Sequence, residues 1–176
     1  MSRPSRDAEQ LLLGEWACLG ILATGPTHGF AIASRLRADS DIGRIWSLSR
    51  PLTYRAIDQL LKNGYVEPVS EEPGIAGGTK TVLAVTESGR LALREWLSRP
   101  VLHLRDLRSE LLLKLQLSRS LDVESTGLVD AQRRVVSDIR RSLQHRLRER
   151  PDDIVTGWRL ETADAALRFL DSLSTR

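Results

Sequence analysis

The sequence predicts a mostly α, α+β chain: three helices, a two-stranded hairpin and a fourth helix, then an all-helical segment. Three observations predict it. Apolar residues recur at helical spacing through most of the chain. Two strand-forming runs, residues 65–69 and 79–85, flank a glycine-rich stretch. Pro100 then separates this half from one that carries no strand signal.

Leu12, Trp16, Leu19 and Leu22 share one side of a helix expected over residues 8–23, which Thr24-Gly25-Pro26 ends. Thr27 is the expected N-cap of a second helix reaching about Ala38, which buries Phe30, Ile32, Ala33 and Leu36 in some combination. Residues 39–44 read as a loop, and Trp46-Ser47-Leu48 alternates like a very short strand. Ser49 is the expected cap of the third helix. Pro51 fits its first turn, where amides lack partners anyway. Ile57, Leu60 and Leu61 form its inward stripe, and Asn63-Gly64 ends it. The hairpin tip is Glu71-Glu72-Pro73-Gly74-Ile75-Ala76-Gly77-Gly78, and Thr86-Glu87-Ser88-Gly89 opens the fourth helix, with Leu91, Leu93, Trp96 and Leu97.

Beyond Pro100, Leu107, Leu111, Leu112, Leu115 and Leu117 mark one helix. Val129, Val136 and Leu143 mark a long helix over residues 123–150, which Pro151-Asp152-Asp153 breaks. A last helix over 157–173 carries Leu160, Ala163, Leu167 and Leu170. Two domains follow: residues 8–99, and a helical domain at 103–174 whose apolar stripes call for a second copy of the chain.

Three helices followed by a hairpin make a winged helix-turn-helix, whose third helix can enter the DNA major groove. Composition permits this without requiring it. The chain has 41% hydrophobic and 28% charged residues and a net charge of +3, with a pI near 9.5, so affinity for a polyanion depends on where the charge is placed. The third helix presents Arg50, Tyr54, Arg55, Gln59 and Lys62, with Asp58 as its one acid; Ser49 and Thr53 stand at its start, Arg44 lies upstream and Lys80 sits at the wing base. Arginine suits guanine edges, glutamine adenine, and tyrosine a phosphate.

Gly25-Pro26-Thr27-His28-Gly29-Phe30 resembles the Gly-Pro-x-His-Gly-aromatic pattern at the second helix of PadR-family regulators. Leu52-Thr53-Tyr54-Arg55-Ala56-Ile57-Asp58-Gln59-Leu60 with Asn63-Gly64-Tyr65-Val66 resembles that family's third-helix block, and Thr86-Glu87-Ser88-Gly89-Arg90-Leu91-Ala92-Leu93 the start of its fourth helix. The resemblance spans residues 11–97 and is strongest at Tyr54 and Arg55. It implies a winged helix with a helical dimerisation arm, acting as a DNA-binding regulator, a repressor by analogy. Two departures stand out. Leu52 and Thr53 are in the opposite order to the family's, and the wing strand Thr79-Lys80-Thr81-Val82-Leu83 lacks the usual arginine and aromatic.

Other chemistries find little support. His28, His103 and His145 are scattered, and Cys18 lies among apolar neighbours, so neither a metal nor a cofactor is expected. The stretch 74–78 lacks the Gly-Lys-Ser/Thr ending of a phosphate loop. Glu71 and Glu72 sit on a tip that cannot hold a catalytic pair, so no enzyme is expected. Trp96 and Trp158 read as dimer-interface aromatics or as walls of an aromatic effector pocket. The arginines at 133, 134, 140, 141, 146, 148 and 150 read as a solvated face with partners such as Asp130 for Arg134. A single cysteine suits a reducing, cytoplasmic setting, and no run reaches the ~18 apolar residues of a membrane span. The expected partners are a palindromic double-stranded operator, a second copy of the chain and an aromatic small-molecule effector. The alternative is a winged-helix protein-interaction module that does not bind DNA.

Overall fold

The computed structural model describes residues 11–73 and 78–173. The expected helix start at residue 8, residues 74–77 of the expected hairpin tip and residue 174 lie outside these; Glu71, Glu72 and Pro73, also expected in the tip, instead extend the strand before it by pairing with Thr81, Lys80 and Thr79. Among the described residues the order is α1 (Leu13–Ala23), β1 (Thr27–His28), α2 (Gly29–Arg35), α3 (Arg50–Lys62), β2 (Val66–Pro73), β3 (Thr79–Val85) and α4 (Glu87–Ser98). A 3-10 turn (Leu104–Asp106) and a π-helical turn (Leu107–Leu111) follow, then α5 (Leu112–Ser120), α6 (Thr126–Glu149) and α7 (Ile154–Leu173). The fold is the α+β winged helix with helical continuation that the sequence predicts. The chain forms two compact units. One runs to Leu97 and takes in Leu113–Val123; the other holds Ser98–Leu112 and the residues from Glu124 onward.

In the first unit α1 is central. The sequence reads it as one-sided, yet every residue from Gly14 to Leu22 is buried, while Leu12 is exposed. A helix covered on all sides has no polar stripe to show. Leu117 of α5 packs so closely on α1 that a Cβ at Gly20 would come within 2.4 Å of it. Leucine cannot cap a helix, so Glu15 reaches back from the first turn and accepts from the Leu12 amide at 2.7 Å.

The sheet is antiparallel in the order β1-β3-β2. Its third strand is Thr27–His28, paired with Leu83 and Val82, and not Trp46-Ser47-Leu48, which is coil. The Leu48 amide donates to the Leu36 carbonyl at 3.0 Å, so that backbone serves the end of α2. With Thr27 in the sheet, the cap of α2 passes to His28, whose Nδ1 accepts from the Ala31 amide at 3.2 Å. The helix also ends sooner than expected, at Arg35. The loop beyond it is fastened by Ser40, which donates to the Arg35 carbonyl, by an Arg35–Asp41 ion pair at 2.6 Å and by fully buried Ile42.

Gly64 ends α3 with φ 70°, a left-handed conformation that glycine adopts cheaply. Its carbonyl accepts from both Thr86 and Ser88, and Thr86 caps α4 by accepting from the Gly89 amide at 3.1 Å. The end of α3 and the start of α4 are thereby tied.

In the second unit α6 packs on α7 through Val129, Val136 and Leu143 on one helix and Ala163 and Leu170 on the other. Gln132, fully buried, uses both ends of its amide on one residue. Its Oε1 accepts from the Val101 amide at 2.7 Å and its Nε2 donates to the Val101 carbonyl at 2.8 Å. The helix begins at Thr126, not 123, and Asp130 pairs with Arg133 at 2.8 Å, not with Arg134. Asp153 caps α7 by accepting from the Thr156 amide and hydroxyl, so this helix starts at Ile154 instead of 157. Those bonds hold the Asp153 carboxyl below the ordinary aspartate range. The stretch expected as one helix from Leu107 opens with the π-helical turn before settling into α5.

Candidate nucleic-acid interface

Two faces divide α3. Thr53, Ala56, Ile57 and Leu60 are buried. Arg50, Tyr54, Arg55, Asp58 and Lys62 are exposed on the other side, and at about 100° per residue they share an arc of about 140°. Three cations against one acid make this face basic. Gln59 is half-buried at its edge, with its Nε2 donating to Asn63 Oδ1 at 3.1 Å.

The first turn departs from expectation. Ser49 occupies the N-cap position in extended backbone, but its hydroxyl makes no capping bond and is exposed. Thr53 is fully buried. Its hydroxyl donates to the Ser49 carbonyl at 3.1 Å, which satisfies it inside the fold. Leu52 takes an outer position instead, at 46% exposure.

Two residues from α2 complete this surface, and the sequence reading did not place them there. Phe30, one of the four apolar residues from which the buried side of α2 was expected, is 52% exposed, and the Arg50 guanidinium lies over its ring at 5.1 Å. The Tyr54 ring lies so close to Gly29 that a Cβ there would meet Cε1 at 2.8 Å. The motif thus has a local explanation: His28 caps the helix, Gly29 makes room for Tyr54, and Phe30 supports Arg50. A seven-residue helix has one inward side, and Ile32 and Ala33 fill it. That was the available signal that Phe30 faces out.

Arg44 is exposed on the loop before α3. Lys80 is half-buried on β3 and directly opposite Glu72 in the ladder, while β2 exposes Glu67, Glu71 and Glu72. The described wing is therefore more acidic than basic.

Trp96 is buried in the first unit, stacked on Trp16 with ring centroids 4.8 Å apart, and Lys114 Nζ lies 4.8 Å from its ring centroid. Trp158, on α7, is 73% exposed. The Cys18 thiol is fully buried, and desolvation, reinforced by the Glu15 charge, pushes it up to about 12. It stays protonated at neutral pH and is a poor nucleophile. Among the described residues no group of three or more His, Cys, Asp or Glu gathers to hold a metal, and no helix is long and apolar enough to cross a membrane.

No family model and no curated protein matches the chain. Among solved structures, the chain is similar to Bacillus subtilis PadR in complex with operator DNA, at 21% identity and a TM-score of 0.47, covering 90% of this chain and 96% of that one. It is similar to Bacillus subtilis PadR at 18% identity and a TM-score of 0.44, covering 97% and 96%. It is also similar to the protein smu.1604c from Streptococcus mutans UA159, at 18% identity and a TM-score of 0.44, covering 94% and 100%.

Proposed function

We propose that this protein is a PadR-type transcription regulator, a homodimer that binds a palindromic operator through α3 and represses by occluding polymerase. The observation that carries the reading is the basic outer face of α3, set on a helix whose inner face is locked into the core. In this reading Arg50 and Arg55 meet guanine edges and Tyr54 a backbone phosphate. Gln59, with its Nε2 turned to Asn63, offers its carbonyl oxygen to a base donor. Leu52 can meet a thymine methyl. Arg44, Lys62 and the Ser49 hydroxyl approach phosphates. Thr53 acts from within, by fastening the first turn. Lys80 opposes Glu72 and is a minor contact.

The second unit supports the dimer. On α7, Ile154, Val155, Trp158 and Phe169 are exposed, spaced so that they share one side of the helix. An apolar stripe of this kind is stable when buried against a partner, and a second copy would set two recognition helices on half-sites about 34–36 Å apart. For an aromatic effector, Trp158 offers an open ring, whereas Trp96 is already stacked. Regulation here is by occupancy of DNA and needs no catalytic group.

The test is fluorescence anisotropy on a duplex selected from random sequence, at two salt concentrations. Wild type is expected to prefer the selected duplex, with affinity falling steeply as salt rises. Arg55→Ala is expected to lose about 1–3 kcal/mol of that preference. If selection yields no preferred sequence, the fold serves as a protein-interaction module instead.

A further inference from the structure

Arg50 is the first residue of α3 and Phe30 the second of α2, so their side chains meet at the outer rim of the helix pair and not in the core. Among the described residues, no carboxylate lies within ion-pair distance of Arg50; its partner is the Phe30 ring, 5.1 Å below the guanidinium carbon. The ring is itself held. His28 Nδ1 accepts from the Ala31 amide, which fixes the first turn of α2, and the His28 and Phe30 rings lie 6.3 Å apart.

A ring beneath a guanidinium, its centroid 5.1 Å from Cζ, behaves differently from a carboxylate at its edge. A carboxylate would occupy the N–H groups that read a base. A ring attracts the cation through its π face and leaves those in-plane donors free. It also limits the rotamers of a long side chain before any ligand arrives, so less freedom is lost on binding.

We propose that Phe30 is a positioning residue for Arg50: its ring holds the guanidinium with its edge turned outward, ready for the O6 and N7 atoms of a guanine. This rests on the DNA-binding reading above. Phe30 sharpens recognition of one base pair and leaves sequence-independent attraction to phosphates unchanged, because it carries no charge.

The experiment compares wild type, Phe30→Leu, Phe30→Trp, Arg50→Ala and the Phe30→Leu/Arg50→Ala double variant on the selected and a random duplex, by anisotropy. Phe30→Leu is expected to weaken binding to the selected duplex about two- to fivefold, the range of an exposed cation–π contact. Binding to the random duplex is expected to stay constant, Phe30→Trp to restore the selected one, and Phe30→Leu to add nothing once Arg50 is alanine. In free wild type the Arg50 Nε–H proton is expected to be shifted upfield by the ring and to return in Phe30→Leu, a readout independent of DNA. The role is overturned if that shift is absent, if Phe30→Leu matches wild type on the selected duplex, or if its loss persists unchanged in the Arg50→Ala background. A wild type that prefers no duplex overturns the DNA reading and this role together. A wild type that prefers the selected duplex as strongly with leucine at position 30 overturns this role alone.

Discussion

At the scale of single residues, Gly29 decides where Tyr54 lies. A methyl group there would press on Cε1 of the Tyr54 ring, the far part of a side chain that can swing away. Gly29→Ala is therefore expected to leave the melting temperature within a few degrees of wild type while displacing Tyr54. Binding to the selected duplex should weaken by about 1.5–3 kcal/mol, the value of one hydrogen bond to a charged group such as phosphate. Unchanged affinity would show that Tyr54 makes no contact. The outward set of α3 was largely legible in the sequence, because Ile57 and Leu60 set the phase of the helix and leave Tyr54, Arg55 and Lys62 opposite. That phase also places Thr53 inside, four residues before Ile57; the hydroxyl obscured it, since its partner is a carbonyl one turn back. Phe30 was not legible by type, because an aromatic residue reads as core until the length of its helix is known.

At the scale of elements, the loop from α2 to α3 depends on Arg35 and Asp41. The hydrogen bond from Arg35 holds the Asp41 carboxyl below its ordinary value of 3.8. The folded state thus takes up this proton less readily than the unfolded chain. The stabilisation is fully present above that value and fades as pH falls through the lower folded value. The pair is partly exposed, so it contributes less than about 1 kcal/mol. Asp41→Asn is expected to lower the urea midpoint slightly at pH 6, with the gap to wild type closing below pH 3.8. A gap that stays constant with pH would assign the effect to something other than this carboxylate. Helix ends were legible at Thr86 and Gly64, where a capping residue and a glycine stand at the boundary, but not at Asp153, whose capping role was missed, nor at Thr27, which the sheet takes. The third strand was not. Two residues carry no periodicity, and Thr27–His28 becomes a strand only because the edge of β3 lies beside it.

The same scale includes the bridge from Gln132 to Val101, two hydrogen bonds in a dry place. Gln132→Leu fits by volume but strands a backbone amide and carbonyl. It is expected to cost about 2–5 kcal/mol, seen as a lower urea midpoint with an unchanged slope. A loss under about 1 kcal/mol would mean that water reaches Val101.

For the whole molecule, the exposed stripe on α7 makes association the next question. Trp158→Lys with Phe169→Glu is expected to shift the protein from dimer to monomer in sedimentation, without melting the helices. The variant should bind a single half-site as well as wild type and lose the avidity that wild type gains on a palindrome. A variant that stays dimeric would place the interface elsewhere.

The stacked tryptophans of the first unit also make the protein its own optical reporter. Trp16 and Trp96 are nearly parallel, with an interplanar angle of 7°, close enough for their excited states to couple and give a paired positive and negative signal in circular dichroism. Trp96 carries the α5 ammonium over its ring, so any sliding of α5 across α1 and α4 would change both that couplet and the emission of the pair. Trp46 and Trp158 also emit, so the couplet, which needs two rings held close together, is the signal that belongs to this pair. One unlabelled sample could thus show, through that couplet, whether an operator or an effector disturbs the seat of α5.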